Sequence, residues 1–264
     1  MKLFYRKSGK GCPLIILHGL YGSGDNWFTI GRKLSKYFTV YLVHQRNHGS
    51  SPHHPEFNYS VMTSDLEELF ADEKINNACL LGHSMGGKVA MNFTLKHPQK
   101  VRKLVIIDIA MKNYFLSGEF APQAVMHQKI VKALSELKIN QTDNRKEIEQ
   151  ELSREIPDKS VCQFLLKNLK RNENGEFYWG MNLMAIEDNL AELLEAVEAT
   201  QSTFLGPTLV IRGIHSGYIN DADKEEFSYY FPAVTFHDFD AGHWIHGEKP
   251  RELIQLLLEF LPIR

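Results

Sequence analysis

The chain has 264 residues, 43% of them hydrophobic, and a net charge of −2 at pH 7. That is length enough for one large core, but the charge gives no basic face for nucleic acid or an anionic membrane, so a small molecule is the expected partner. Cys12, Cys79 and Cys162 are widely spaced and odd in number, which fits a reducing, cytoplasmic setting better than a disulfide framework. Met1 to Tyr5, followed by Arg6 and Lys7, has no apolar core of signal-peptide length, and no run is long enough to span a bilayer, so no membrane insertion is expected.

In chain order, Leu3 to Arg6 reads as an edge strand and Pro13 to Leu17 as a buried one, ending in His18-Gly19-Leu20-Tyr21-Gly22. Asp25 or Asn26 caps a helix through Trp27, Ile30 and Leu34. Val40 to Val43 is the next strand. Gln45 to Pro52 is a polar loop too rich in turn formers for regular structure, in which Arg46 and His48 tie the loop to the core. Met62, Leu66, Leu69 and Phe70 recur at helical spacing and should cover the sheet. Ala78 to Leu81 leads into Gly82-His83-Ser84-Met85-Gly86-Gly87, and Lys88 to His97 leads out as a helix. Val101 to Ile109 has the near-continuous β-branched composition of a central parallel strand, with one acid, Asp108.

From about Met111 to Gln201 only helical spacing is visible: Met126, Ile130, Leu134 and Leu137, then Ile148, Leu152 and Ile156, then Leu190, Leu193, Leu194 and Val197. Strands return at Thr208 to Arg212 and Val234 to Phe239, and a last helix carries Leu253, Leu256, Leu257 and Phe260, with His246 and Glu248 organising the approach to it. The expected architecture is therefore α/β, a mostly parallel sheet flanked by helices. Residues 1–110 and 202–264 form its core, and 111–201 is an all-helical lid inserted between core strands.

The strand, glycine turn and helix around Ser84 form the G-x-S-x-G elbow, in which flanking glycines let a serine sit on a strained turn with its hydroxyl clear of the sheet. A serine hydroxyl is a weak nucleophile at neutral pH, so it needs a base and an orienting acid. His243, in the loop Asp240-Ala241-Gly242-His243-Trp244 after the last strand, has the chain position of the base. The backbone N–H groups of Leu20 and Met85 are placed to form an oxyanion hole, with His18-Gly19 as the supporting turn. For the acid, Asp108 competes with Asp221, Asp238 and Asp240, because the segment after Val210-Ile211-Arg212-Gly213-Ile214-His215 offers Ser216 in place of a carboxylate. Ser216 is retained as an auxiliary group. Tyr21, Tyr114, Trp179, Met184 and Trp244 are the candidate substrate-binding residues, with ordinary core packing as the alternative for aromatic and methionine side chains. No cysteine has metal-ligand spacing and no cluster of ligands is visible, so neither metal nor cofactor is expected.

Taken together, His18-Gly19-Leu20 with Gly22 and Trp27, Arg46-Asn47-His48-Gly49-Ser50, Gly82 to Lys88, Ile107-Asp108-Ile109 and Gly242-His243-Trp244 resemble the α/β-hydrolase superfamily, in particular its YbfF-like esterase branch. The resemblance implies hydrolysis of small acyl esters or thioesters without a metal or organic cofactor, and it implies Asp108 as the acid. The competing reading is a non-catalytic small-molecule receptor on the same fold, which active-site labelling separates from an enzyme.

Overall fold

A computed structural model describes residues 1–115, 122–198 and 202–261. Nine strands are found among these residues: β1 (Tyr5–Ser8), β2 (Cys12–Leu17), β3 (Phe38–Val43), β4 (Ala78–His83), β5 (Val101–Ile107), β6 (Leu169–Arg171), β7 (Phe177–Trp179), β8 (Thr208–Gly213) and β9 (Val234–Phe239). Seven build one sheet in the order β1-β3-β2-β4-β5-β8-β9. Only β1 runs antiparallel, against β3; every other pairing is parallel.

The central strands read as continuous apolar runs because both of their faces are buried. Alternate residues supply two cores. Ile15, Leu17, Leu80, Leu104 and Ile106 face one side, packed with Met62, Leu66, Leu69 and Phe70 of α2 (Tyr59–Asp72) and Val89 and Phe93 of α3 (Met85–Lys96). Leu14, Ile16, Leu81, Val105 and Ile107 face the other, packed with Trp27, with Ile30 and Leu34 of α1 (Phe28–Leu34), and with Leu253 and Leu257 of α11 (Pro250–Phe260). The face expected of Met62, Leu66, Leu69 and Phe70 thus covers the sheet.

Between β5 and β8 lie α4 (Pro122–Glu136), α5 (Arg145–Glu155), α6 (Lys159–Leu166), α7 (Leu183–Asp188) and α8 (Leu190–Leu193). The segment is not all helical, which corrects the expectation: β6 and β7 form an antiparallel hairpin inside it. Its cause is local. Gly175 has φ +83, and Asn172 Oδ1 accepts from the N–H groups of Asn174 (3.0 Å) and Glu176 (2.9 Å), so Asn172 to Glu176 forms a tight turn that no helix can run through. The two ends of the segment between β5 and β8 lie side by side, with Tyr114 N–H donating to Leu194 O (2.8 Å) and Val197 N–H to Met111 O (2.7 Å). That pairing leaves Val197 outside any helix. The expected boundary at residue 201 falls outside the described residues. Past β8, α9 (Asp223–Tyr230) and α10 (Ile245–Glu248) precede α11, α9 being one that apolar spacing did not mark. Among the described residues no helix is long and apolar enough to cross a membrane.

Five described non-glycine residues have positive φ, and Tyr21 (60°), Asn47 (65°), Ser84 (52°) and Asp108 (51°) are four of them. They follow β2, β3, β4 and β5 in turn, so backbone strain collects at the carboxyl edge of the sheet. Ligands of open parallel α/β sheets bind at that edge.

Candidate active site

Ser84 stands between β4 and α3 with φ 52° and ψ −123°. This conformation costs a non-glycine residue about 1–3 kcal/mol and persists only where the surroundings impose it. They do so through glycines. A Cβ on Gly82 would lie 2.2 Å from Gly86 O, and one on Gly86 would lie 2.5 Å from Leu17 O and 2.6 Å from His18 O. Ser84 N–H donates to Ile107 O (3.0 Å), while Ser84 O accepts from Gly87 N–H (2.7 Å). The elbow is thereby tied to β5 on one side and to its own helix on the other.

Asp108 directly follows β5 and is fully buried; its Oδ1 accepts from Gly213 N–H (2.8 Å) and its Oδ2 from His243 Nδ1–H (2.8 Å). Because Nδ1 carries the proton of that bond, Nε2 of a neutral His243 is an acceptor. The competing acids lie elsewhere. Asp221 and Asp238 pair with Arg212, and Asp240 pairs with His215 (2.7 Å).

His83 lies against His243, with ring centroids 4.7 Å apart, and its Nε2–H donates to His243 O (2.8 Å). Burial first, and then the neighbouring His243, holds the His83 imidazole well below its usual pKa. A neutral His83 makes Nδ1 the unprotonated nitrogen. That atom would be 2.9 Å from a Cβ on Gly19, and Ser84 Cβ 3.0 Å, which is why the loop after β2 needs glycine there. His18 fastens the same loop: its Nε2 accepts from Gln45 N–H (3.0 Å), so its Nδ1–H donates to Gly19 O (2.9 Å). Burial also holds His18 far below its usual pKa. Among the described residues, neither Leu20 N–H nor Met85 N–H donates to another group of the chain.

Glu248 Oε2 accepts from Gly242 N–H (2.8 Å) and so braces the loop that carries His243. His246 stacks on Trp27, with ring centroids 4.6 Å apart. Arg46 is bound to both carboxylate oxygens of Asp65 (2.6 and 2.8 Å), which ties its loop to α2. The same loop holds the segment between β5 and β8 through Gly49 N–H to Gly180 O (2.7 Å) and Asn182 N–H to Asn47 O (2.8 Å).

Ser216 Oγ accepts from Tyr218 N–H (3.3 Å) and makes no bond to His243 or Asp108. With Tyr218, His243, Trp244, Met126 and Val161 it lines a cavity of about 560 Å³. Of the residues expected to bind substrate, Trp244 is at this cavity and Tyr21 is buried beside Leu20. Tyr114 is buried with its hydroxyl committed, donating to Tyr218 O (2.6 Å) and accepting from Ala110 N–H (3.0 Å). Trp179 is half-buried on β7, and Met184 on α7 is 72% exposed.

Three buried groups at the site escaped sequence reasoning. Tyr218 stacks on the His243 ring at 4.0 Å and 21°, and its hydroxyl meets His127 Nε2 (3.0 Å) of α4, whose Nδ1 meets Tyr21 Oη (3.3 Å). Burial, with a further contribution from His243, pulls His127 down to about 3. These contacts span 91 and 106 residues of chain, and neither Tyr218 nor His127 belongs to a recognisable motif. Lys88 is the third. Its Nζ donates to Lys112 O (2.9 Å) and to Glu195 O, joining α3 to both ends of the segment between β5 and β8.

A family model for the alpha/beta hydrolase fold matches residues 13–250. The chain is 37% identical over 260 residues to the sn-1-specific diacylglycerol lipase ABHD11 of Danio rerio, covering 96% of this chain and 79% of that protein. It is 30% identical over 252 residues to Esterase YbfF of Escherichia coli, covering 94% and 92% respectively. Among solved structures, a marine microorganism esterase superposes with a TM-score of 0.94 at 42% identity, covering 98% of this chain and 99% of that one.

Proposed function

The chain belongs to the α/β-hydrolase family and is a hydrolase of the carboxylesterase type, and from that premise we propose that it cleaves small carboxylic esters or acyl thioesters through an acyl-enzyme on Ser84. His243 Nε2 takes the Ser84 proton as Oγ attacks the carbonyl carbon, then delivers it to the departing alcohol or thiol. Water, deprotonated by the same nitrogen, releases the acid. Asp108 holds the Nδ1–H tautomer and stabilises the imidazolium that forms. Leu20 N–H and Met85 N–H stabilise the oxyanion. The observation that carries this reading is the buried Asp108–His243 hydrogen bond of 2.8 Å, at the same edge of the sheet as a serine at φ 52°.

The segment between β5 and β8 acts as the lid over this centre, and the apolar faces of its helices favour uncharged acyl chains. The test is labelling with a fluorophosphonate followed by peptide mass mapping, together with a panel of esters of graded acyl length. Adduct on Ser84 and turnover of at least one ester are expected. A protein that binds esters but is neither labelled at Ser84 nor turns them over is a receptor, and the reading fails.

A further inference from the structure

Tyr21, His127 and Tyr218 form a closed hydrogen-bond chain that the triad mechanism does not use. Each tyrosine hydroxyl brings one proton, and a neutral imidazole brings one N–H. Three donors therefore serve two bonds, and one proton is left over.

Where it sits follows from the surroundings. Tyr21 is buried, and among the described residues its hydroxyl meets only His127, so its proton is spent on His127 Nδ1. His127 then carries hydrogen on Nε2 and donates it to Tyr218 Oη, 3.0 Å away. The proton of Tyr218 is the one left unspent. Tyr218 lines the cavity of about 560 Å³ beside His243 and Trp244, so that proton has somewhere to point. Stacking of the Tyr218 ring on His243 at 4.0 Å fixes its distance from the reacting centre.

Resting on the esterase reading above, we infer that Tyr218 is a specificity-determining donor which binds a second oxygen of the substrate, outside the reacting carbonyl, with Tyr21 and His127 setting the direction of its proton. The favoured substrate class is an ester bearing an ether, hydroxyl or further carbonyl oxygen in its acyl or alcohol part. A purely hydrocarbon ester offers that donor no acceptor, which disfavours it.

The experiment compares isosteric ester pairs in which an ether oxygen replaces one methylene: p-nitrophenyl propoxyacetate against p-nitrophenyl hexanoate for the acyl side, and ethoxyethyl butyrate against pentyl butyrate for the alcohol side. The readout is the ratio of kcat/KM within each pair, in the wild type and in Tyr218→Phe. Intrinsic ester reactivity cancels between the two proteins, and the retained ring keeps its packing against His243. In at least one pair the ratio should fall about tenfold in Tyr218→Phe, the worth of one neutral hydrogen bond. Tyr21→Phe and His127→Gln should lower the same ratio, although Tyr21 does not line the cavity, and they serve as test if Tyr218→Phe does not fold. Unchanged ratios in both pairs overturn the inference and leave the esterase reading intact. If the wild type cleaves none of the four esters, the esterase reading fails and the inference falls with it.

Discussion

Asparagine at position 108 would keep the shape of the side chain but remove the charge opposite His243 Nδ1–H, and its amide would face that proton with either a donor or a neutral oxygen. In a serine protease the equivalent change lowers turnover about 10⁴-fold through the wrong histidine tautomer, and Asp108→Asn is expected to behave comparably in steady-state ester hydrolysis. Ser216→Ala removes a hydroxyl that, among the described residues, accepts only from Tyr218 N–H, so a loss of tenfold at most is expected. If instead Asp108→Asn retains most activity, the acid is another residue. Ser84→Ala should abolish turnover by several orders of magnitude while leaving the melting temperature close to that of the parent, measured side by side.

At the scale of elements, the elbow is a place where backbone meets backbone. Gly86→Ala puts a methyl 2.5 Å from Leu17 O and 2.6 Å from His18 O, so either α3 or the loop after β2 must move. A stability loss of about 1–3 kcal/mol is expected from such overpacking. Activity should fall further than stability, because both moving parts carry a proposed oxyanion N–H; calorimetry beside kinetics separates the two. Lys88 makes an element-scale link of another kind. Burial pulls its ammonium down to about 7 while the carbonyls of Lys112 and Glu195 accept its protons. Lys88→Met would strand those carbonyls, at a cost of about 1–3 kcal/mol. Hydrogen exchange should accelerate at the pairings Tyr114–Leu194 and Val197–Met111; unchanged exchange there would mean that Lys88 does not anchor the segment between β5 and β8.

Across the whole molecule, the buried histidines set a pH dependence. His48 is lowered to about 4, His127 and His246 to about 3, and His18 and His83 lie well below their usual value, burial being the leading cause for each. An unfolded chain protonates these rings near 6.5, whereas in the folded chain His48 resists until about pH 4, His127 and His246 until about pH 3, and His18 and His83 are also held down by burial. The unfolded state therefore binds more protons throughout that window, and stability is lost as pH falls below about 6.5, by up to about 1.4 kcal/mol per pH unit for each ring. Thermal melts at pH 7, 6 and 5 should show a progressive drop, and a flat profile would contradict neutral burial.

Much of this molecule was legible before any coordinates. Apolar runs ending in glycine turns specify parallel strands buried on both faces, and the G-x-S-x-G turn needs its glycines wherever it occurs, so Ser84 and the core followed from local chemistry. The expectation for His243 rested on its position after the last strand. The β6–β7 hairpin was also written locally, in Asn174-Gly175, but apolar spacing of helical period on either side of it hid the turn. The choice among Asp108, Asp221, Asp238 and Asp240 was different, since a carboxylate's partner depends on which strand ends are neighbours. Sheet order brings the ends of β5 and β8 together and turns the other acids toward Arg212 and His215. Tyr218 and His127 carry no motif at all, and the stretch that holds Lys88 does not say what its ammonium meets. Their contacts join residues tens of positions apart through side chains of variable geometry, and only the packed tertiary structure determines which donor meets which acceptor.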